Sequence, residues 1–470
     1  MRTAILDPGM AGTPSPTALD VHPLAKELGA RFSAAGHELY LVGGSVRDLL
    51  SGRESPDLDF ATSAHPPETT RVLQGWADRR YFVGVRFGTV GALKDGRRLE
   101  ITTFRQESYV EEHRKPAVTF GENIETDLAR RDFTINAMAV KLPDGAFVDP
   151  FNGVRALAAR SLDTPLDPEV AFSDDPLRMV RAARFVAQLY VTPADRVTAA
   201  IAAMRERLVI VAAERIRDEL NLLLVAPGAA QGLALLVDTG LADVFLPELP
   251  ALRLEQDPVH KHKDVLRHTY AVVERCEPDH VLRLAALLHD IGKPRTRQIT
   301  PGGISFHHHE VVGSRMARER LTALRYPHAV IEDVCRLIEL HLRFHGYGEG
   351  WTDAAVRRFV RDAGPLLDRL NQLTRADVTT RNEQRAERFA RLQDELEERI
   401  AALAEEENLE ALRPALDGRQ VMARLGLAPG PVVGQALEYL MEVRMERGVI
   451  PEDEAFALLD AWAADRAITS

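Results

Sequence analysis

Short apolar runs, several of them alternating with polar residues, dominate residues 38–142. They read "ELYLVGG", "LDFAT", "TVGALK", "RRLEITTF" and "AMAVKL". Runs of this length and composition are typical of strands, and short helical pieces separate them. One stretch between Phe104 and Leu128, "RQESYVEEHRKPAVTFGENIETD", is polar and without period, and we expect a loop there. The pattern predicts an α/β or α+β head, and of the two we adopt α+β with a small mixed β-sheet.

From about residue 170 onward, the apolar positions recur at helical spacing. Both "DDPLRMVRAARFVAQL" and "AAERIRDELNLLLV" have this spacing and acidic starts. Proline and aspartate cluster at 247–258, which marks a junction, and histidines concentrate in the helical stretch that follows. We therefore predict five parts: a flexible tail at 1–22, the head at 23–162, a helical neck at 163–258, an all-α domain at 259–380 and a helical region at 381–470.

Composition narrows the class of protein. Cys276 and Cys335 are the only cysteines among 470 residues, which are too few for a disulfide framework and indicate a reducing cytosol. The first 20 residues lack the basic and apolar regions of a signal peptide, and no run of about 18 apolar residues predicts a membrane span. We therefore expect a cytoplasmic protein without membrane contact, and the sequence leaves its oligomeric state open.

The net charge of −11 argues against a nucleic-acid partner, because such proteins usually carry a basic surface. The charge is uneven, however. Residues 178–217 carry a group of arginines at Arg178, Arg181, Arg184, Arg196, Arg205, Arg207, Arg215 and Arg217. A local basic face is therefore predicted despite the acidic total.

Two aspartates stand two residues apart in "DLDFAT". On a strand, Asp57 and Asp59 point to one face with Cα atoms about 6.5 Å apart. The strand "RRLEITTF" brings Glu100 where a third carboxylate can reach the same ions. Mg²⁺ prefers oxygen ligands, and paired carboxylates with substrate phosphates commonly hold it. Two carboxylates so placed can share a pair of Mg²⁺ ions about 3.5–4 Å apart, so the three acids are candidates for a catalytic two-metal site.

A glycine pair precedes these acids in "LVGGSVRDLLSG". Gly43 and Gly44 let the backbone approach a phosphate closely at a helix start, and Arg47 in the first turn can bind phosphate through two hydrogen bonds. Either feature alone is usually a turn or a chance Asp-x-Asp. Together, in this order, they predict phosphoryl transfer from a nucleoside triphosphate.

Six ordered segments over residues 38–225 carry a family resemblance. They are "LVGGSVRDLLSG…DLDFAT", "EITTFR", "DLARRDFTINAMAV", "DPFNGV", "FSDDPLRMVRAARFVAQL" and "ERIRDELNLLL". In this order they resemble class II tRNA nucleotidyltransferases and bacterial poly(A) polymerases. The resemblance implies that Asp57 and Asp59 bind the metal. It also implies that Gly44 and Arg47 contact the triphosphate, and that Arg131 and Asp132 contact the phosphates and sugar of the nucleotide.

Nucleotide choice has a physical rationale in Asp175 and Arg178, which lie three apart on a predicted helix and share a face. A carboxylate only accepts hydrogen bonds and a guanidinium only donates them, which matches C and A and opposes U and G. The resemblance implies that this motif selects the nucleotide, with Arg181 and Arg184 lining the site. The alternative is that Asp174 or Asp175 caps the helix and pairs with Arg178.

A second constellation lies in "LRLAALLHDIGKP", an apolar helix that ends in adjacent His289 and Asp290. With His268 upstream and Asp377 downstream, it resembles the HD phosphohydrolase superfamily. The resemblance implies that these four residues bind one divalent metal. Two nitrogens and two carboxylates leave positions open for water and substrate, and suit Mn²⁺, Fe²⁺, Ni²⁺ or Mg²⁺.

Further histidines stand near this motif, in "HHHE" at 307–310 and at His341. Two interpretations stay open. His309 and His341 could bind a second metal, or the histidine run could be an exposed loop.

These features predict a nucleotidyltransferase that adds C, C and A to tRNA 3′ ends from CTP and ATP without a nucleic-acid template. A poly(A) polymerase, or an enzyme that adds only CC or only A, shares every motif. An HD phosphohydrolase whose N-terminal half only holds RNA is a rival from another class, and a non-catalytic RNA-binding protein is a third interpretation. The three head carboxylates argue against both.

Overall fold

A computed structural model describes residues 19–55, 57–82, 88–108, 117–121, 123–254, 264–300, 303–378, 382–407, 413–466 and 468. The chain divides into two compact units, residues 1–247 and 248–470. Within these described ranges, no helix combines the length and the apolar character that crossing a bilayer demands.

A seven-stranded mixed sheet forms the base of the first unit. The strands of this unit are β1 (Leu39–Val42), β2 (Asp57–Thr62), β3 (Arg79–Tyr81), β4 (Thr89–Lys94), β5 (Arg97–Thr103), β6 (Arg105–Ser108), β7 (Ala117–Phe120), β8 (Ala139–Leu142), β9 (Phe147–Val148), β10 (Ser161–Leu162) and β11 (Thr192–Pro193). The large sheet has the order β3-β4-β5-β2-β1-β8-β9, and β6-β7 and β10-β11 form separate pairs. In the large sheet, β2 and β5 pair in parallel, and every other neighbouring pair is antiparallel.

Alternation along β2 and β5 separates a core face from an open face. Leu58 and Phe60 of β2, and Leu99 and Ile101 of β5, are buried in one apolar cluster. The residues between them point the other way, because successive side chains of a strand alternate. The sequence pattern therefore leaves the acidic residues of both strands on the face opposite the core.

Helices surround this sheet and continue into the neck. Those of the first unit are α1 (Pro23–Ala34), α2 (Gly44–Leu50), α3 (Pro66–Val72), α4 (Ile124–Ala129), α5 (Gly153–Ala158), α6 (Pro168–Asp174), α7 (Leu177–Leu189), α8 (Asp195–Met204), α9 (Ala213–Leu224), α10 (Ala229–Asp238) and α11 (Leu241–Phe245). Two 3₁₀ segments cover Thr134–Asn136 and Arg205–Ile210. Helix α7 packs against both α9 and α10, so the predicted arginine-rich helix lies inside a helical bundle.

The second unit is almost entirely helical. Its helices are α12 (Val265–Arg275), α13 (His280–Leu288), α14 (Lys293–Thr296), α15 (His309–Ala323), α16 (His328–Leu340), α17 (Asp353–Ala363), α18 (Leu367–Asp377), α19 (Glu383–Glu407), α20 (Gly418–Leu425), α21 (Pro431–Arg447) and α22 (Glu452–Asp465). Strands β12 (Gln298–Thr300) and β13 (Gly303–Ser305) form a hairpin, and 3₁₀ segments cover Pro250–Leu252, Arg343–Glu349 and Gly364–Leu366. Helix α13 is central, since it is buried from Val281 to Leu288 and contacts α12, α16 and α18.

The predicted α+β head followed by helices is confirmed. The expected loop after Phe104 is wrong in part, because β6 and β7 pair there in an antiparallel way; residues 109–116 lie outside the described ranges. The sequence also missed β3 and β9, which have three and two residues and too little apolar pattern to be recognised. The division into five parts stays a prediction.

Gly29 tests how tightly α1 packs on the sheet. A Cβ at this buried position would lie 2.4 Å from Cβ of Leu142 in β8. Overpacking typically costs about 1–3 kcal/mol, whereas the gain in helix propensity from Gly to Ala is about 1 kcal/mol. The net effect of Gly29→Ala should therefore be to lower the free energy of unfolding by up to about 2 kcal/mol, as measured by urea denaturation followed by circular dichroism.

Gly434 gives the matched control. It is an exposed residue inside α21, and a Cβ there would have nothing within 4 Å. Gly434→Ala should raise stability by about 0.5–1 kcal/mol. Equal effects of the two substitutions would contradict the close packing of α1 on β8.

Candidate functional sites

Three carboxylates share the open face of the head sheet. In the parallel pairing of β2 and β5, Asp59 lies opposite Glu100 and Asp57 lies opposite Arg98. Directly paired residues point to the same face. The structure therefore brings Asp57, Asp59 and Glu100 together, on one face and on neighbouring strands.

Ser45, in the first turn of α2, ties this helix to the acidic strand. Its buried hydroxyl donates to the carbonyl oxygen of Asp57 at 3.2 Å and accepts the N–H of Asp59 at 3.1 Å. The helix that follows the glycine pair is thereby fixed against the backbone of both aspartates. Sequence reasoning missed Ser45, because a serine near a helix start usually serves as a cap.

The electrostatics of Asp59 reflect this crowding. Burial raises the pKa of its carboxyl to about 6; Arg131 acts in the opposite direction, and Glu100 and Asp57 add to the rise. Since each neighbouring carboxylate opposes ionisation of the next, the group as a whole favours a nearby cation. The donors are all oxygen atoms, and this set fits Mg²⁺.

The glycine pair has the geometry that the sequence predicted. Gly43 has φ 69°, a left-handed conformation that favours glycine, and α2 begins at the next residue. A Cβ on Gly43 would lie 2.7 Å from Nη1 of Arg131, so the missing side chain leaves space for that guanidinium. Arg131 is held from behind by the buried Asp127, at 3.1 Å.

A buried polar network links α2 to the neck. Nη1 of Arg47 donates to Oδ1 of Asn136 at 2.8 Å, and Nδ2 of Asn136 donates to Oδ1 of Asp132 at 3.0 Å. Nε of Arg181 donates to Oδ2 of Asp132, also at 3.0 Å. Burial raises the pKa of the Asp132 carboxyl, but Arg181 and Asn136 outweigh it and hold the pKa at about 2. Asp132 is therefore ionised and already engaged by the neck.

The network continues through Glu219 of α9, which the sequence did not single out. Its carboxylate lies 3.2 Å from Nη1 of Arg181 and 2.7 Å from Nε of Arg184. Burial and then the charge of Arg181 lower the pKa of Arg184 to about 10, and Glu219 opposes this. The guanidinium of Arg184 also lies over the ring of Phe185, 4.2 Å from its centroid. One acid on α9 thus holds two of the predicted nucleotide-binding arginines in place.

Asp175 and Arg178 have different partners from those expected. Asp175 does not lie on the helix with Arg178, because it ends α6 in an extended conformation, and α7 begins at Leu177. Its carboxylate accepts from the Leu177 N–H at 3.2 Å and pairs with Arg215 of α9 at 2.8 Å. Arg178 donates to the carbonyl oxygen of Arg130 at 2.6 Å. The prediction that Asp175 and Arg178 share a helix face is therefore wrong. The alternative that the two side chains pair is also wrong, because each is held by a different element.

In the second unit, His268, His289 and Asp377 form a first group. Nε2 of His268 lies 2.8 Å from Oδ1 of Asp377, and Nε2 of His289 lies 3.5 Å from the same oxygen. Their ligand atoms all lie within 4.8 Å of one another. Burial lowers the pKa of His289, but Asp290 and Asp377 outweigh it and raise the pKa to about 10. The carboxylates thus favour positive charge between the two histidines.

Asp290, His309 and His341 form a second group beside the first. Oδ2 of Asp290 lies 3.2 Å from Nε2 of His289, and its Oδ1 lies 3.3 Å from Nε2 of His309. Lys293 also reaches Oδ2 of Asp290, at 2.7 Å. Of the "HHHE" run, His309 is buried at the start of α15, whereas His308 is exposed. The structure therefore brings His309, but not His308, to the predicted motif.

Three of these imidazoles are oriented in the same way. Nδ1 of His289, His309 and His341 lies 2.6–2.8 Å from the carbonyl oxygen three residues before it. A carbonyl only accepts, so Nδ1 carries a proton and Nε2 faces the site. Burial and then His289 lower the pKa of His341 to about 3, so its Nε2 is an unprotonated lone pair at neutral pH.

Buried acceptors left facing one another argue for a cation. Among the described side chains, Nε2 of His309, Nε2 of His341 and Oδ1 of Asp290 are buried without a hydrogen-bond partner. Buried polar atoms are rarely left so unless a water or an ion satisfies them. The donor set of imidazole nitrogens and carboxylate oxygens fits a divalent transition metal.

Family models match three segments of the chain. The poly A polymerase head domain matches residues 39–163, a probable RNA- and SrmB-binding site of polymerase A matches residues 191–252, and the HD domain matches residues 265–382. The first segment contains the three head carboxylates, and the third contains both histidine groups.

Relatives and a solved structure match almost the whole chain. An A-adding tRNA nucleotidyltransferase of Deinococcus radiodurans is 36% identical over 90% of this chain and 95% of its own length. A CC-adding tRNA nucleotidyltransferase of Thermus thermophilus is 33% identical over 91% and 94%. The structure of a Bacillus stearothermophilus CCA-adding enzyme in complex with CTP has a TM-score of 0.70 at 26% identity, and covers 95% of this chain and 99% of that one. Because two relatives above 30% identity align along nearly their full lengths, the chain belongs to the tRNA nucleotidyltransferase family.

Proposed function

We propose that the first unit adds C, C and A to the 3′ ends of tRNA, from CTP and ATP and without a nucleic-acid template. One observation carries the proposal: Asp57, Asp59 and Glu100 share the open face of two parallel strands, beside a left-handed glycine and two arginines. In the reaction, the terminal 3′-hydroxyl of the RNA attacks the α-phosphorus of the nucleotide, and pyrophosphate leaves.

The three carboxylates would hold Mg²⁺. When bound, the ion supplies positive charge that neutralises the phosphate oxygens as the new bond forms. We assign Asp57 and Asp59 as its ligands, and Glu100 as the third acid of the set.

The chain's own cations bind and orient the nucleotide. Gly43 and Gly44 allow close approach of the phosphates, and Arg47 and Arg131 lie next to them. Two features keep these guanidinium groups in place, since Arg47 is anchored by Asn136 and Arg131 by Asp127. Such preorganised charge needs little rearrangement when the reaction occurs.

The base would be read by Asp175 and Arg178, with Arg181 and Arg184 near it. Asp132 contacts the nucleotide sugar in this proposal while Arg181 holds it. Asp175 presents acceptors and Arg178 presents donors, which still matches C and A. Arg215 is bonded to Asp175, and so orients the acceptor that reads the exocyclic amino group.

A divided specificity is the second candidate, because one relative that matches nearly the whole chain is named A-adding and another is named CC-adding. The likeness to a CCA-adding enzyme bound to CTP favours the complete reaction. A poly(A) polymerase remains the third alternative, and a cytoplasmic location remains our prediction.

Single-nucleotide supply separates these candidates. Three tRNA transcripts, ending before CCA, after the first C and after the second C, are each incubated with labelled CTP or ATP. The proposal expects CTP to add two residues to the first transcript and one to the second, and ATP to add one residue to the third. Extension of only one class of transcript supports the divided specificity, and runs of A indicate a poly(A) polymerase.

Asp59→Asn should abolish nucleotide addition without unfolding the head. Loss of one charged oxygen ligand removes several kcal/mol of transition-state stabilisation, so kcat should fall by about 10²–10³ or more. Steady-state kinetics measure this. Asp78→Asn, at an exposed acid paired with Lys94 in the same domain, is the matched control and should keep normal kcat. Near-normal turnover of Asp59→Asn would contradict the metal assignment.

Arg178→Ala or Asp175→Ala should relax nucleotide choice as well as slow incorporation. A good bidentate contact to a base carries about 1–3 kcal/mol of discrimination, so UTP or GTP should gain about tenfold relative to CTP and ATP. Incorporation of all four nucleotides is measured side by side.

The control is Arg217→Ala. Arg217 lies on the same helix as Arg215, but its guanidinium pairs with the neighbouring Asp218. It should leave the ratios unchanged. An equal fall for all four nucleotides in Asp175→Ala would assign this carboxylate to holding the start of α7 and Arg215.

For the second unit, we propose a metal-dependent phosphohydrolase with two metal positions. His268, His289, Asp290 and Asp377 would hold the first ion, and Asp290, His309 and His341 would hold a second. The Nε2 atoms of His309 and His341, which are buried and make no hydrogen bond, support the second position. Plausible substrates are RNA ends that carry a 2′,3′-cyclic or terminal phosphate, which block nucleotide addition. The metal, when bound, lowers the pKa of water that attacks phosphorus.

Asp290→Asn should lose both metal binding and phosphoester hydrolysis, because its two oxygens serve both groups. Protein dialysed with Mn²⁺ or Ni²⁺ is analysed by plasma mass spectrometry, and then assayed for ester hydrolysis and nucleotide addition. Wild type should retain about two ions per chain if carboxylate sharing holds a metal pair. His341→Asn should retain about one.

Two controls test whether the effect of Asp290→Asn is specific to the proposed metal site. Asp368→Asn, at an exposed acid on the same helix as Asp377, should retain wild-type metal content. Nucleotide addition should persist in Asp290→Asn, because the head carboxylates lie in the other compact unit. If the wild-type chain retains no metal and cleaves none of these esters, the proposed hydrolase activity is contradicted. The HD domain would then have only a structural role.

A further inference from the structure

One transverse row of residues crosses the head sheet from its edge to the catalytic acids. Tyr81 of β3 lies opposite Gly91 of β4, and Gly91 lies opposite Glu100 of β5. Glu100 in turn lies opposite Asp59 of β2. Paired residues point to one face, so the side chain of Tyr81 shares the face of the carboxylates.

The residue between the ring and the acids is a glycine, and the ring occupies its place. A Cβ on Gly91 would lie 2.0 Å from Cε2 and 2.1 Å from Cδ2 of Tyr81. The tyrosine hydroxyl donates to the carbonyl oxygen of Ala92 at 2.7 Å. The ring therefore lies over β4 and beside Glu100, is fixed at its tip, and is only half-buried.

The position of the ring relative to the nucleotide site indicates what it would contact. Gly43, Arg47 and Arg131, which bind the triphosphate in our proposal, lie on the β1 side of Asp59. Tyr81 lies on the opposite side, beyond Glu100. The attacking and leaving oxygens stand roughly in line across the phosphorus. The RNA end that carries the attacking hydroxyl therefore approaches from the side of Tyr81.

We propose that Tyr81 is the platform on which the 3′-terminal base of the acceptor RNA stacks. This inference rests on the proposed nucleotidyl transfer by the head. Stacking on an aromatic ring tolerates any base, because every base has a π-face. An enzyme whose product becomes its next substrate meets more than one terminal base, first the base that precedes CCA and then C, and a sequence-tolerant contact suits that task. Tyr81 is thus a substrate-binding residue that sets where the 3′-hydroxyl lies.

The test uses two RNA minihelices that carry 2-aminopurine as the 3′-terminal nucleotide. In one RNA it occupies the last position before CCA, and in the other it replaces the second C. Stacking quenches this fluorophore, and the measurement needs no nucleotide. Wild type and Tyr81→Phe should quench it, and Tyr81→Leu should not. In kinetics with unlabelled RNA, Tyr81→Leu should raise KM for RNA about tenfold, with KM for the nucleotide unchanged.

Gly91→Ala tests the same contact without substituting the tyrosine. Its methyl group must displace the ring, so it should reproduce the loss of quenching and the higher KM for RNA. Phe82→Leu is the matched control, because this neighbouring aromatic residue is 54% exposed and outside the row. It should behave as wild type in both assays.

Quenching by Tyr81→Leu equal to that of wild type would overturn the inference. So would a lower kcat with unchanged KM for RNA and unchanged quenching, since that result assigns Tyr81 to supporting Glu100. A wild-type chain that extends no RNA contradicts the proposed function instead. The fluorescence, which is measured without nucleotide, then decides about Tyr81 separately.

Discussion

The parallel pairing of β2 with β5 is the constraint on which the head depends. It aligns Asp59 with Glu100, and so places like charges side by side on one face of the sheet. Close carboxylates oppose one another's ionisation, and the pKa of Asp59, raised by burial and then by its acidic neighbours, records this cost. The positive charges of Arg131 and Arg47 lower the pKa of Asp59 and so offset part of that repulsion. The glycine at position 43 has no side chain in the space where Arg131 needs to approach.

A second constraint is the buried ion network that joins the head to the neck. Asp132 accepts a hydrogen bond from Arg181 of α7, and Glu219 of α9 forms ion pairs with both Arg181 and Arg184. Burying a charge is costly unless it has a partner. These residues therefore depend on one another, because removing one of them leaves a buried charge without its partner. The position of the arginine-rich helix is thereby coupled to the sheet that carries the acids. In the proposed reaction, the side chains assigned to the nucleotide and to its base are therefore connected through one hydrogen-bonded network.

The sequence predicts short-range features well and pairing between distant segments poorly. Asp57 and Asp59 share a strand, and "LVGGSVRDLL" contains its own turn and helix start, so local rules suffice. Asp175 with Arg215, and Arg181 with Glu219, join residues about 40 positions apart on packed helices. No periodicity reports which of eight arginines in residues 178–217 meets which acid. The pair that looked adjacent, Asp175 with Arg178, is separated because a helix ends between them. His309 was ambiguous for the same reason, since burial at the start of α15 follows from packing with α16.

The shared Nδ1 hydrogen bond of the three buried histidines has a consequence for how the second unit would acquire an ion at the proposed site. Each imidazole is locked by the carbonyl oxygen three residues before it, within its own segment. The ligands therefore reach their final orientation through folding alone, whereas a structural zinc site gains its order from the metal. Filling such a preformed site costs little conformational entropy, and the ion can leave without unfolding the helices. A metal bound at the proposed site would then be exchangeable, and its identity would follow the supply in the surroundings as much as the affinity of the site.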